Sequence, residues 1–142
     1  MSEQRSISFT STFDAANRMT LQTNTGSGET QRTFIYDSLN RLTDARNNFA
    51  AVHRNYDALS RVTLEEQAIR LDGTGFTAGG GWVYPSVTAT YPVVMTYGYD
   101  KNSNRTTTTV TTSTDTIPVN LSQTCGFDAL NRHNSCDAAY DG

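Results

Sequence analysis

The chain has 142 residues, a formal net charge of −3, 36% hydrophobic residues and 18% charged residues. With no block of Lys or Arg it lacks the electrostatic footprint of a nucleic-acid binder, and no apolar run reaches the length of a membrane span. A surplus of 23 Thr, with 7 Tyr and 6 Phe, favours strands over helices and argues against disorder.

Taken in chain order, the N-terminus "MSEQRSISFT" has no apolar signal core, so export is expected only by another route or within a larger parent. Ile7, Phe9 and Phe13 then alternate at the strand period of two and lead into Phe13-Asp14-Ala15-Ala16-Asn17-Arg18-Met19. The same pattern returns as Tyr36-Asp37-Ser38-Leu39-Asn40-Arg41-Leu42 and as Tyr56-Asp57-Ala58-Leu59-Ser60-Arg61-Val62. It returns again as Tyr99-Asp100-Lys101-Asn102-Ser103-Asn104-Arg105 and Phe127-Asp128-Ala129-Leu130-Asn131-Arg132-His133. A sixth start, Tyr140-Asp141-Gly142, reads as another unit cut short. Steps of 23, 20, 43, 28 and 13 residues separate the starts, and such self-similarity marks a repeat architecture. Between them lie second turn signals at 23–28, 44–48, 71–75 and 114–118, so each unit reads strand, turn, strand, turn.

The chemistry of one unit predicts a hairpin tip. Asp37 opens the turn, its carboxylate accepting backbone N–H bonds from residues just ahead. Ser38 and Leu39 take the two central positions of a type I turn, and Asn40 takes the left-handed position of a three-residue loop with a bulge. Asn enters that region at modest cost because it is short and polar. Arg41 starts the return strand opposite Asp37, where an exposed ion pair forms. Tyr36 then faces Leu42, Phe13 faces Met19 and Tyr56 faces Val62, as cross-strand pairs that stabilise a sheet. The turn residues of this reading are Asp14, Arg18, Asp37, Asn40, Arg41, Asp57, Arg61, Asp100, Asp128, Asn131 and Arg132. The expected fold is all-β: one antiparallel meander of tandem hairpins over residues 1–142, its sheet bent or curled.

The recurring Tyr-Asp-x-x-(Gly or substitute)-Arg, with its aromatic-x-aromatic-Asp lead-in, resembles the YD-repeat, or RHS-repeat, family over nearly the whole chain except roughly 76–94. "YDKNSNRT" resembles a family variant with an extra Asn, which puts Ser103 in the glycine slot and Asn104 in the Arg slot. The resemblance implies a strip of hairpins that, in large relatives, winds into a hollow shell around a toxic cargo domain in bacterial toxins. Related shells occur in cell-surface proteins, so a secreted or cell-surface destination is implied for a larger parent. This chain departs from the pattern by never placing Gly in the glycine slot. Its five units are too few to close a shell, so the enclosing role is implied only for that parent.

Other features read more plainly. The stretch 73–96 interrupts the repeat with Gly, Pro and the single Trp. It is expected to be a long hairpin insertion covering a sheet face. The alternative is a binding module, in which Trp82, Tyr84 and Tyr91 offer stacking faces to a carbohydrate or a cell-surface partner. "GTGFTAGGG" is no phosphate loop, because no Lys-Ser/Thr follows. His53 and His133 read as strand or turn residues, with no His/Cys cluster at metal spacing and no nucleophile motif. No catalytic residue, cofactor or metal is expected. Cys125 and Cys136 flank the fifth hairpin. A three-residue loop sets Cys125 opposite Ser135 and the two sulfurs on opposite faces, so free thiols are expected; a four-residue loop would put them face to face. "NRTTTTVTT" at 104–112 reads as an exposed polar ribbon with Thr ladders.

A single-layer meander leaves one face and two edges to be covered. The sheet curls, the insertion folds over it, or two copies pair. Self-association is expected, a dimer first, with further repeats or a cargo domain as the other partners. The functional expectation is a non-enzymatic structural module.

Overall fold

The computed structural model describes residues 7–25, 31–47, 49–70, 89–112 and 119–141. The expectation of an all-β chain holds: ten antiparallel strands form one meander, with no helix among the described residues. They are β1 (Phe9–Phe13), β2 (Met19–Asn24), β3 (Gln31–Tyr36), β4 (Leu42–Asn47) and β5 (Ala50–Tyr56). β6 (Val62–Arg70), β7 (Ala89–Tyr99), β8 (Arg105–Thr112), β9 (Val119–Phe127) and β10 (His133–Asp141) follow. The hydrogen-bonded order is the chain order, the arrangement that antiparallel neighbours joined in succession give. The chain packs as two compact units, Met1–His53 with Ile69–Ala89 and Arg54–Ala68 with Thr90–Gly142.

The predicted facing pairs Phe13↔Met19 and Tyr36↔Leu42 are present in the register, and the fifth hairpin likewise sets Phe127 opposite His133. One residue further along, four return strands carry an extra residue beyond the bulge expected in the loop itself. Thr12 pairs with Leu21, Ile35 with Asp44, Gly98 with Thr107 and Gly126 with Ser135. The skipped residues are Thr20, Thr43, Thr106 and Asn134, each the second residue of its return strand. These are β-bulges, in which two residues oppose one and the strand twists more sharply. Thr suits the position because its hydroxyl can take up a backbone group left by the broken ladder. Thr20 Oγ1 donates to Thr12 O and Thr43 Oγ1 to Ile35 O, both at 3.3 Å. A Cβ at Gly126 would lie 2.6 Å from Asn134 Oδ1 on the bulge, so that exposed side chain would have to turn aside.

The bulge overturns the expectation for the cysteines. By skipping Asn134 it moves Cys136 directly opposite Cys125, and the two form a disulfide with Cα atoms 4.1 Å apart. The loop keeps its predicted form; the extra residue lies beyond it, where a count of loop residues does not look.

Two other boundaries shift. The strand β4 runs on to Asn47, so the second turn starts there rather than at 44–48. Asn47 Oδ1 accepts the N–H groups of Phe49 and Ala50 at 2.8 and 2.7 Å, an Asx-type reversal. The Thr-rich run is not an exposed ribbon: β8 pairs with both β7 and β9 and is half-buried from Thr106 to Thr112. The signals at 71–75 and 114–118 and most of the 73–96 insertion lie outside the described residues; β7 is its C-terminal continuation.

Burial is shallow throughout. Among the described residues only Ala51 and Ala68 are buried apolar side chains, at 2% and 1% exposure, and no large side chain is fully enclosed. A layered domain would bury Leu, Ile and Phe between its layers. Here cohesion has to come from ladders, cross-strand pairs and the turns themselves.

Candidate functional site: the ladder of turns

The five turn aspartates all make the same reversal. The Asp N–H donates to the carbonyl four residues on, from Asp14 to Arg18 O, Asp37 to Arg41 O, Asp57 to Arg61 O, Asp100 to Asn104 O and Asp128 to Arg132 O, at 2.9–3.0 Å. The N–H of the residue three ahead closes the inner turn on the Asp carbonyl at 3.0–3.1 Å. That residue is Asn17, Asn40, Ser60, Ser103 or Asn131, with φ of 60°, 64°, 62°, 69° and 60°. These are all the left-handed non-Gly residues among those described, and they fall on the five slots where the sequence required one. The assignment of Ser103 to this slot, and Asn104 to the Arg slot, holds.

The carboxylate then fills the inside of the turn. Asp37 Oδ1 accepts from the N–H groups of Leu39 and Arg41, both at 2.9 Å, while Oδ2 accepts from Arg41 Nε at 2.6 Å. Asp14, Asp57 and Asp128 repeat the set with Arg18, Arg61 and Arg132. In the fourth turn Asn104 Nδ2 takes the place of the guanidinium, 2.9 Å from Asp100 Oδ2. Every one of these carboxyls is held below the usual carboxylate range. In Asp37, Asp57 and Asp128 the backbone N–H of the Arg four residues on is the main cause. In Asp14 it is the Arg18 side chain, and in Asp100 the Asn104 side chain. The expectation of a fully exposed ion pair is corrected for the early turns. Arg41 and Asp37 are only 20% and 22% exposed, whereas Arg132 is 74% exposed.

The reason for that burial is a contact between turns that lie far apart in sequence. Arg18 reaches from the first turn to the second: Nη1 donates to Asp37 O at 3.1 Å and to Asn40 Oδ1 at 2.8 Å, and the guanidinium lies 4.8 Å from the centre of the Tyr36 ring. Tyr36 replies with its hydroxyl, which donates to Met19 O at 3.1 Å. Arg61 makes the same set to Asp100 O at 3.1 Å, Ser103 Oγ at 3.3 Å and the Tyr99 ring at 4.5 Å, and the Tyr99 hydroxyl donates to Val62 O at 2.7 Å. Between the fourth and fifth turns Asn104 and Asn102 both donate to Asn131 Oδ1, at 3.1 and 3.0 Å. In the first and third turns, therefore, the Arg that closes the turn clamps the one after it, and the Tyr that opens that following turn ties back to the strand before it. Sequence reading recognised every member of this set but assigned each to its own turn. The signal for the rest was present: the left-handed slot is always a side chain with an acceptor, never Gly.

Two results test the geometry. Phe127 occupies a tyrosine slot without the hydroxyl. Phe127→Tyr is expected to donate to Arg105 O, as Tyr99 does to Val62 O, and to raise stability by about 0.5–1.5 kcal/mol in chemical denaturation. Asn40→Val should lose about 2–3 kcal/mol, because a β-branched residue resists that conformation.

The remaining candidates give less. Tyr91 falls in β7, while Trp82 and Tyr84 lie outside the described residues. His53 and His133 are both strand residues. His53 Nδ1 lies 2.9 Å from Asp44 Oδ1, in a cross-strand pair. A shallow groove on the first unit is lined by Phe34, Ala45, Ala51 and Val52, flanked by Arg32 and Arg46, with no carboxylate or imidazole in its wall. The absence of a metal-type cluster, expected from sequence spacing, is corrected: Cys125, His133 and Cys136 offer ligand atoms all within 4.8 Å of one another.

Fold and turns together define a class, the tandem-hairpin β-meander, in which the same reversal recurs along the chain. No protein-family model matches the sequence, and no curated protein matches it.

Proposed function

We infer that this chain is a non-enzymatic structural module of YD-repeat type, whose row of hairpins serves as part of a shell or as an assembly surface. The observation that carries this reading is the clamp between turns. The guanidiniums, carboxylates and tyrosine hydroxyls of these turns are taken up by backbone and by one another. Within each unit neighbouring turns are thereby fixed to one another, which suits a part whose product is shape. In a larger parent such a row would be one stretch of a wall around a cargo domain.

The reading also names the partner. Among the described residues Arg132 pairs only with its own Asp128 and stays 74% exposed, while its counterpart Arg18 reaches the following turn. At the other end β1 is exposed along its length, with Phe9 and Phe13 at 58% and 54%. A further hairpin of the same kind, from the parent or from a second copy, would complete both. Sedimentation equilibrium over a wide concentration range tests this. The expected result is concentration-dependent association, a dimer first, weakened by Arg132→Glu. A chain that stays monomeric throughout, or a glycan-array signal abolished by Trp82→Ala, would overturn the reading.

A further inference from the structure

The bulge at Asn134 does more than align two cysteines. In an unbroken strand residues three apart point to opposite faces. Skipping Asn134 puts His133 and Cys136 on one face of β10, and their cross-strand partners Phe127 and Cys125 share it. The imidazole is held edge-on to Phe127, ring centres 5.7 Å apart at 77°. That contact aims Nε2 at Cys136 Sγ, 2.8 Å away. Two sulfurs and one nitrogen thus converge from the two arms of a single hairpin, within 4.8 Å of one another. Cys125 is half-buried while His133 and Cys136 are exposed, so an ion has a path in from solvent.

We propose that, once its disulfide is reduced, the Cys125–His133–Cys136 cluster binds a thiophilic divalent cation of the Zn2+ type through two thiolates and one imidazole, with water in the fourth position. The donor set is the one such an ion selects. Two sulfurs on one tetrahedral Zn2+ lie about 3.8 Å apart, given Zn–S bonds of about 2.3 Å. The cluster spans this distance after a side-chain rotation at each Cys, with no change of strand register. The reaction balances simply. A dithiol or phosphine supplies the two electrons that break the Sγ–Sγ bond, and two protons go to the sulfurs. The cation then displaces those two protons, so binding strengthens as pH rises. The metal restores the cross-link that reduction removes, and disulfide and metal site exclude each other.

The test uses the full chain, reduced with a phosphine that is then removed without air, and titrated with Co2+ followed by Zn2+. The expected result is one Co2+ per chain, with sulfur-to-cobalt charge-transfer absorption and the visible bands of a tetrahedral site, bleached by Zn2+. The disulfide form of the same sequence should give neither band, a comparison that depends on no variant folding. Cys125→Ser with Cys136→Ser should abolish the signal. His133→Ala should keep the charge-transfer band but weaken binding by about tenfold or more. A reduced chain without the charge-transfer band, or a His133→Ala chain that binds as tightly as the parent sequence, overturns the proposal.

Discussion

Asp37→Ala is expected to lower the melting temperature by roughly 5–10 °C, the largest effect of any single turn substitution. The change removes the acceptor for two backbone N–H groups and for Arg41 Nε together. It also releases Arg41, whose guanidinium the carboxylate orients. Leu39, two residues away at the same tip, is 62% exposed, so Leu39→Ser should leave the melting temperature nearly unchanged. The pair of variants separates turn chemistry from a general sensitivity of the loop.

The same carboxylates set the response to acid. All five turn aspartates have folded values below the ordinary 3.8. A depressed carboxyl contributes its stability in full above the unfolded value, and loses it as pH falls through the folded one. The unfolded chain binds the protons first, so acid pulls the equilibrium toward it. Glu65 adds to this: burial works to raise it, but Arg54 and Gln67 hold it below its usual range. The melting temperature is therefore expected to stay flat from about pH 8 to about pH 5 and to fall steeply below about pH 4. Asp37→Ala should show a shallower acid limb. An acid limb as steep as that of the parent sequence would show that the turn carboxylates are not its cause.

The second large effect concerns the fifth hairpin. Cys125→Ser with Cys136→Ser opens a cross-link that closes a sequence separation of 11 residues. Loop-closure entropy puts its stabilisation at about 3 kcal/mol. The loss should be local, because the β10 side chains from His133 to Ala139 are exposed and the strand pairs along one side only. Hydrogen exchange should therefore quicken in β9 and β10 while β3 and β4 keep their protection. A uniform loss of protection across both units would instead show that the sheet unfolds as one cooperative body.

The turns were legible in the sequence because they are local. Asp37, Asn40 and Arg41 lie within five residues, and the conformations open to each are fixed by its own sterics and short polar reach. Five left-handed residues and two facing pairs, Phe13 with Met19 and Tyr36 with Leu42, followed from that alone. The bulges at Thr20, Thr43, Thr106 and Asn134 did not, although a Thr recurs after the first residue of most return strands. A bulge is a choice between two registers of a strand pair, and it turns on how the partner strand, not the residue itself, is seated. The cysteine pairing failed with it, since one extra residue reverses which face every later side chain occupies.

The sequence by itself determined where the polypeptide reverses and that it is built of strands, because each reversal is encoded in a few adjacent residues. Only the tertiary structure decided that Arg18 belongs to the turn of Asn40 as much as to its own, and that Cys125, His133 and Cys136 meet. Those contacts join groups brought together by register, and register is settled when neighbouring strands pair, not in any short stretch of chain.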